Sequence, residues 1–290
     1  MINLFGIRYK FHPLFVVMML LSLVTGLFLE LLTLFAIVFI HELGHAAAAR
    51  AYGWNVTEIM LLPFGGVAAV DDPAGAPAGQ DVVVALAGPL QNLLMAGFGL
   101  WFGQMGWWSE SWTDYFVTAN VMIGAFNLLP VLPLDGGRIL HTLLGFIFPY
   151  HRTLLICAWV SLALGAGLTL LSLGGYGGKV QLNFFILGLF LVYSNWYGYL
   201  HAPYHFLRYM MYRERRSSRM VQRGTSANPI VVRTTNTVSQ TAKLFMREKY
   251  HLIYVLGEQD QIVRVLPEHV VTRFYYLENK PGSAVSELFM

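Results

Sequence analysis

The sequence predicts a polytopic α-helical membrane protein of about six transmembrane helices, with a short membrane-embedded hairpin and a C-terminal α/β domain. Three observations carry that prediction. The 290 residues are 56% hydrophobic and only 12% charged, a balance that belongs to membrane proteins. Six apolar stretches, at about 13–28, 31–49, 81–103, 115–136, 153–173 and 181–200, approach or exceed the length needed to cross a bilayer core. The character then changes near residue 208: thirteen of the 19 Lys and Arg residues lie from Arg208 onward, against seven of the 16 acids. A single cysteine, Cys157, excludes an intrachain disulfide framework.

The first ten residues, ending in Arg8-Tyr9-Lys10, have the look of a signal-peptide n-region. No small-residue cleavage site follows the apolar run, so the first span is read as retained. The second stretch holds His41-Glu42-Leu43-Gly44-His45. Its 19 residues, 31–49, make roughly 28 Å of helix. H-E-x-x-H on a helix is a zinc-hydrolase pattern. A four-residue step places His41 and His45 on one face, one turn apart. Two neutral imidazoles at that spacing can share a tetrahedral Zn²⁺, and a catalytic site adds a third protein ligand. Glu42, beside the first histidine, has the position of a general base on the metal-bound water. Three ionisable side chains at membrane depth are costly to insert, which favours a functional task.

For the third ligand the best candidate is Asp135, in Asn127-Leu128-Leu129-Pro130-Val131-Leu132-Pro133-Leu134-Asp135-Gly136-Gly137. It is a carboxylate set in a Pro/Gly-interrupted helix, and irregular backbone at membrane depth is tolerated where it lines a cavity or is buried in protein. The alternative is a helix-end residue in a Pro-Gly turn. Positive residues help to decide. With both termini inside, Arg8, Lys10, Arg50, Arg138 and Arg152 fall on the inner side and only Lys179 outside. The second and fourth spans then run outside to inside, and His41, His45 and Asp135 reach a similar depth near the cytoplasmic face.

Residues 57–70 are apolar but too short to span, and Pro63 and Gly65-Gly66 punctuate them. This predicts a re-entrant or interfacial segment, with a β-hairpin turning at the glycines as one form of it. An exposed strand edge there could pair with an extended peptide; a plain interfacial loop is the alternative. After the last span, Arg208, Arg213, Arg215, Arg216, Arg219 and Arg223 form a basic cluster suited to anionic membrane lipid. It sits in a basic linker, 208–227, that separates a membrane domain, 1–207, from a small domain, 228–290. In the small domain Ile230–Val232 reads as a strand, Val238–Tyr250 as a helix, and Leu252–Leu256 and Ile262–Leu266 as strands around the turn 257–261, with a helix from Pro267-Glu268. That β-α-β-β-α order resembles one cystathionine-beta-synthase-type (CBS) motif.

Taken together, His41–His45, Leu61–Gly66, Ala87-Gly88-Pro89-Leu90-Gln91 and Asn127–Gly137 resemble the site-2 intramembrane metalloproteases. The resemblance is nearest to the sporulation branch, which has six spans and a C-terminal CBS domain. One departure is Pro133-Leu134-Asp135-Gly136 in place of Asn-Pro-Asp-Gly. The aspartate is kept. The resemblance implies a zinc metalloendopeptidase with one Zn²⁺ per chain on His41, His45 and Asp135, and Glu42 as catalytic base. It implies that Asn127 binds the substrate backbone or an oxyanion, that Pro130 and Pro133 shape the broken helix, and that Pro63, Phe64, Gly65 and Gly66 belong to a substrate-pairing hairpin. It further implies regulated cleavage of a membrane-associated pro-protein, the pro-segment of a sporulation sigma factor, from the outer forespore membrane facing the mother-cell cytoplasm. Inhibitory membrane proteins, ATP or another adenine nucleotide at the CBS-like domain, and a homo-oligomer built through that domain are implied partners. No direct nucleic-acid contact is expected. A membrane transporter or channel with a CBS regulatory domain is the rival reading, since intramembrane His and Asp also mark ion pathways.

Overall fold

The computed structural model describes residues 2–4, 7–11, 13–62, 65–71, 76–174, 181–278 and 280–289. Contacts divide the chain into two units. The first comprises Met1–Asp72, Gly79–Pro130 and Leu134–Ile139; the second comprises Pro73–Ala78, Val131–Pro133 and Leu140–Met290.

The first unit opens with strands β1 (Ile2–Leu4) and β2 (Ile7–Phe11). The basic residues there suggest an n-region, yet Ile7-Arg8-Tyr9-Lys10-Phe11 alternates with the period of a strand. Helices α1 (Pro13–Thr25) and α2 (Phe28–Ala51) follow. Strands β3 (Asn55–Leu62) and β4 (Gly65–Asp71) then pair antiparallel, with Leu62 opposite Gly65. Of the four residues expected in the hairpin turn, Gly65 and Gly66 open β4, and Pro63 and Phe64 lie outside the described residues. β2 joins the pair in parallel, Arg8–Phe11 against Glu58–Leu61, giving a sheet of order β1-β2-β3-β4. A 2.8 Å ion pair between Lys10 and Glu58 crosses that added junction.

Helix α3 (Ala78–Gln104) carries Pro89 in its interior, and α4 (Glu110–Asn127) starts at an N-cap where Ser109 accepts from the Trp112 N–H. Ile37, Met95 and Ala119 bring α2, α3 and α4 together in an apolar cluster. The fourth expected span, 115–136, is not one helix. α4 stops at Asn127, residues 128–134 are irregular, and α5 (Asp135–Leu144) starts at the aspartate. Pro130 and Pro133 explain the break, because proline lacks an N–H and disfavours helix in the residue before it.

The second unit contains α6 (Tyr150–Leu173), α7 (Leu182–Leu200) and α8 (Ala202–Gln222). Gly165 and Gly188 let α6 and α7 approach closely: a Cβ on Gly188 would lie 2.3 Å from Thr169 Oγ1. Where the sequence reads a basic linker over 208–227, the structure has helix as far as Gln222. The reason lies on one face of α8. Phe206, Tyr209, Met210 and Arg213 recur at helical spacing and are all buried. The first three share an apolar core with Ile230, Val232, Phe245, Ile253, Val255 and Val271.

The strands and helices after α8 are β5 (Ala227–Arg233), α9 (Val238–Ala242), β6 (Tyr250–Leu256), β7 (Ile262–Pro267) and α10 (Glu268–Tyr276). β5 runs parallel to β6, and β6 antiparallel to β7. The expected β-α-β-β-α order is present. The first helix is shorter than its periodicity implies: Thr237 and Gln240 cap its start reciprocally, and it ends at Ala242.

Arg213 is the polar centre of this unit. Its guanidinium grips Glu268 through two bonds, at 3.2 and 2.8 Å, and donates to the carbonyls of Met246 and Lys249. Glu268 also accepts from the His251 backbone N–H at 2.9 Å. Farther along, Arg216 and Arg247 both donate to the Ala76 carbonyl, and Glu248 accepts from the Ala78 N–H at 3.1 Å.

Among the described residues, three helices, α2, α3 and α6, are long and apolar enough to cross a membrane; α1 is apolar but has 13 residues. Bare apolar side chains such as Val24, Leu93, Leu171 and Phe184 give these helices and α7 a surface suited to lipid.

Candidate metal centre

α2 presents His41, Glu42 and His45, all buried. Asp135 opens α5, where a carboxylate is favoured by the helix dipole. That turn lies hard against the end of α4: a Cβ on Gly136 would fall 2.1 Å from the Leu128 carbonyl oxygen, so only glycine fits. One turn on, Arg138 bonds Asp81 of α3 at 3.2 Å and lies over the Trp54 ring.

The three expected ligands converge. His41 Nε2 and His45 Nε2 are 3.1 Å apart, and each is 3.2 Å from Asp135 Oδ2. Tetrahedral zinc with bonds of about 2.0 Å holds its ligand atoms about 3.3 Å apart. The triangle therefore fits one such ion, and these three residues form a candidate metal-binding group. Proton placement supports the fit. His45 Nδ1 lies 2.7 Å from the Val84 carbonyl, which can only accept. In a neutral ring the hydrogen is then on Nδ1, which leaves Nε2 a bare lone pair. His41 Nδ1 lies 2.5 Å from Asn92 Oδ1, which sets the same tautomer. Two lone pairs and a carboxylate oxygen that makes no hydrogen bond then face one point, an arrangement a cation satisfies.

Space for the ion comes from α3. A Cβ on Gly88 would lie 2.3 Å from His45 Nε2 and 2.6 Å from His41 Nε2. The bare glycine is what keeps the point between the imidazoles open.

The substrate-facing candidates are placed less directly. Asn127 ends α4, and its Nδ2 donates to the Ile123 carbonyl one turn back at 3.0 Å. Pro130 and Pro133 are exposed in the irregular stretch, with the Leu132–Pro133 peptide cis. Residues with no assigned role in the sequence reading complete the site: Asn92 and Asn120, buried in apolar helices, Gly88, and the Asp81–Arg138 pair. The two asparagines leave a legible trace, as amides in an otherwise apolar span. Gly88 falls within the Ala87–Gln91 segment of the resemblance, but nothing in the sequence tells that its missing side chain leaves room between the imidazoles.

The sequence profile of peptidase family M50 matches residues 29–108 and 104–168, which hold both histidines and the aspartate. The chain belongs to peptidase family M50. Stage IV sporulation protein FB of Bacillus subtilis is 27% identical to this M50 peptidase over 297 residues, 98% of this chain and 96% of that one. A zinc metalloprotease of Methanocaldococcus jannaschii is 36% identical over 128 residues, 43% of this chain and 37% of that one. The solved site-2 protease from the same organism superposes with a TM-score of 0.56 at 28% identity, covering 67% of this chain and 92% of that one. The chain is thus an integral membrane zinc metalloprotease. A transporter would need metal ligands but no protease signature, so the rival reading falls away.

Proposed function

We propose that this M50 peptidase is an intramembrane endopeptidase that removes the pro-segment of a membrane-associated sporulation sigma factor near the cytoplasmic face. The observation that carries the reading is the convergence of His41, His45 and Asp135 with Glu42 next on the same helix. Near full-length similarity to a stage IV sporulation protein supports the substrate class.

A bound Zn²⁺ supplies a Lewis acid and a water acidified to a pKa of about 7. Glu42 takes the proton from the attacking water and returns it to the leaving amine. The Asn127 amide has a second N–H beyond the one given to Ile123, and that N–H holds the substrate backbone or the developing oxyanion. The scissile segment must be extended, since a helix keeps its carbonyls hydrogen-bonded. Of the hairpin's two strands, β3 already has β2 on its other side, so β4 is the edge offered to that segment.

The wider reading is a six-span protein crossing the membrane at α1, α2, α3, α4, α6 and α7, with both termini cytoplasmic and the outer forespore membrane as its location. Residues 228–290 then act as a CBS-like regulatory module, supported by the order β5-α9-β6-β7-α10. An adenine nucleotide, a second copy of the chain and inhibitory membrane proteins are the partners this reading assigns.

Co-expression with a candidate pro-sigma factor tests the proposal. Wild type yields the shortened product. Glu42→Gln stays folded and zinc-loaded and cleaves about 10²–10⁴-fold more slowly. Equal processing by both proteins overturns the mechanism.

A further inference from the structure

The geometry points to Asn92 as the positioning residue for His41, held by Asn120 in a one-way hydrogen-bond wire that dictates which imidazole nitrogen faces the metal. The inference rests on the reading of His41, His45 and Asp135 as metal ligands.

Asn92 and Asn120 are 1% and 0% exposed, in the middle of two apolar helices. A buried amide there is costly unless its groups are bonded. Asn120 Nδ2 donates to the Phe116 carbonyl at 2.9 Å, Asn92 Nδ2 donates to Asn120 Oδ1 at 3.3 Å, and Asn92 Oδ1 lies 2.5 Å from His41 Nδ1. The end of this chain fixes its direction. A carbonyl can only accept, so Asn120 must turn its NH₂ to Phe116 and its oxygen to Asn92. Asn92 must then turn its NH₂ to Asn120 and its oxygen to His41. His41 can answer only with an Nδ1–H, which leaves the Nε2 lone pair for the metal. Flipping either amide sets two donors or two acceptors face to face somewhere along the wire.

α3 is the template that delivers these contacts. Val84, Gly88 and Asn92 stand at four-residue steps on one face. They present, in order, a carbonyl to His45, open space to the ion and an amide oxygen to His41. The two ligands on α2 are thus oriented separately, one by backbone and one by a side chain that can be substituted.

The test uses the full chain in detergent and compares wild type with Asn92→Leu, Asn92→Asp and Asn120→Leu. Two quantities are read: zinc affinity by chelator competition, and the visible spectrum of the Co²⁺-loaded protein. Asn92→Leu is expected to bind zinc about 10–100-fold more weakly and to shift the Co²⁺ bands. Asn92→Asp keeps an oxygen acceptor and restores both readings toward wild type, which simple repair of packing would not do. Asn120→Leu does not touch His41 and falls between. Wild-type affinity and spectrum in Asn92→Leu overturn the inference, as does an Asn92→Asp no better than Asn92→Leu. Where Asn92→Leu does not fold, wild-type binding by Asn120→Leu overturns it. A wild type without zinc, or a His45→Ala protein that binds as tightly as wild type, instead overturns the metal reading beneath it.

Discussion

A methyl group at position 88 would collide with the two imidazole nitrogens rather than with backbone. Imidazoles can swing aside, so Gly88→Ala spares the fold and spends its effect on the metal. Crowding of this kind costs about 1–3 kcal/mol. The expected result is zinc affinity down by about tenfold or more with little change in melting temperature, checked by metal analysis after dialysis and by a thermal melt. The three candidate ligands, His41, His45 and Asp135, were legible from the sequence because ionisable groups inside apolar runs are conspicuous. What orients them was not. The Val84 carbonyl belongs to the backbone, Gly88 acts by having no side chain, and Asn92 lies 51 residues from the histidine it bonds. Spacing along one helix cannot reveal a partner on another.

At the scale of elements, the decisive break lies between α4 and α5. Sequence showed that Pro130 and Pro133 interrupt a helix there, but not what holds the released backbone. The Leu132 N–H donates to Ser161 of α6 at 2.8 Å, and the Leu132 carbonyl accepts from Asn195 of α7. Both side chains are buried in apolar helices. Asn195→Leu leaves that carbonyl without its amide donor and is expected to cost about 1–3 kcal/mol. Asp135 follows three residues later, so zinc affinity should fall together with the melting temperature. Ser161→Ala acts on the same residue, and the double variant should cost measurably less than the sum of the two. A strictly additive double variant would show that the two bonds hold the loop independently. α8 carries the opposite lesson. Its arginines suggested a linker, but Phe206, Tyr209, Met210 and Arg213 keep helical spacing through the charge run.

Across the molecule, the second unit depends on a buried ion pair. Burial pushes the Glu268 carboxyl up, but the His251 hydrogen bond and the Arg213 charge outweigh it and hold the group below its ordinary 4.5. Burial holds His251 below 6.5, aided by the Arg213 charge and opposed by its bond to Glu268. Both groups take up protons more readily in the unfolded chain. Stability therefore falls as pH drops through the ordinary histidine range near 6.5, and falls further below 4.5 as Glu268 is neutralised. Hydrogen exchange over residues 202–289 between pH 8 and pH 4 should show protection lost in that direction; protection constant across the range would contradict it. Glu268→Gln strands Arg213 among buried groups and should destabilise this unit by about 3–5 kcal/mol at neutral pH.

The bonds at Ala76 and Ala78 make a tail deletion less simple than it looks. Ala76 lies just before α3 and Ala78 opens it, yet the side chains that bond their backbone, those of Arg216, Arg247 and Glu248, lie far along the chain. A protein truncated after residue 207 would lose its final domain and also the partners of the segment that feeds α3. Loss of cleavage in such a truncation would not identify the tail as a regulator, because Ala76 and Ala78 would have lost their bonds in the same cut. Point substitutions on β6 and β7, which leave Arg216, Arg247 and Glu248 in place, are the cleaner way to ask whether the tail affects cleavage.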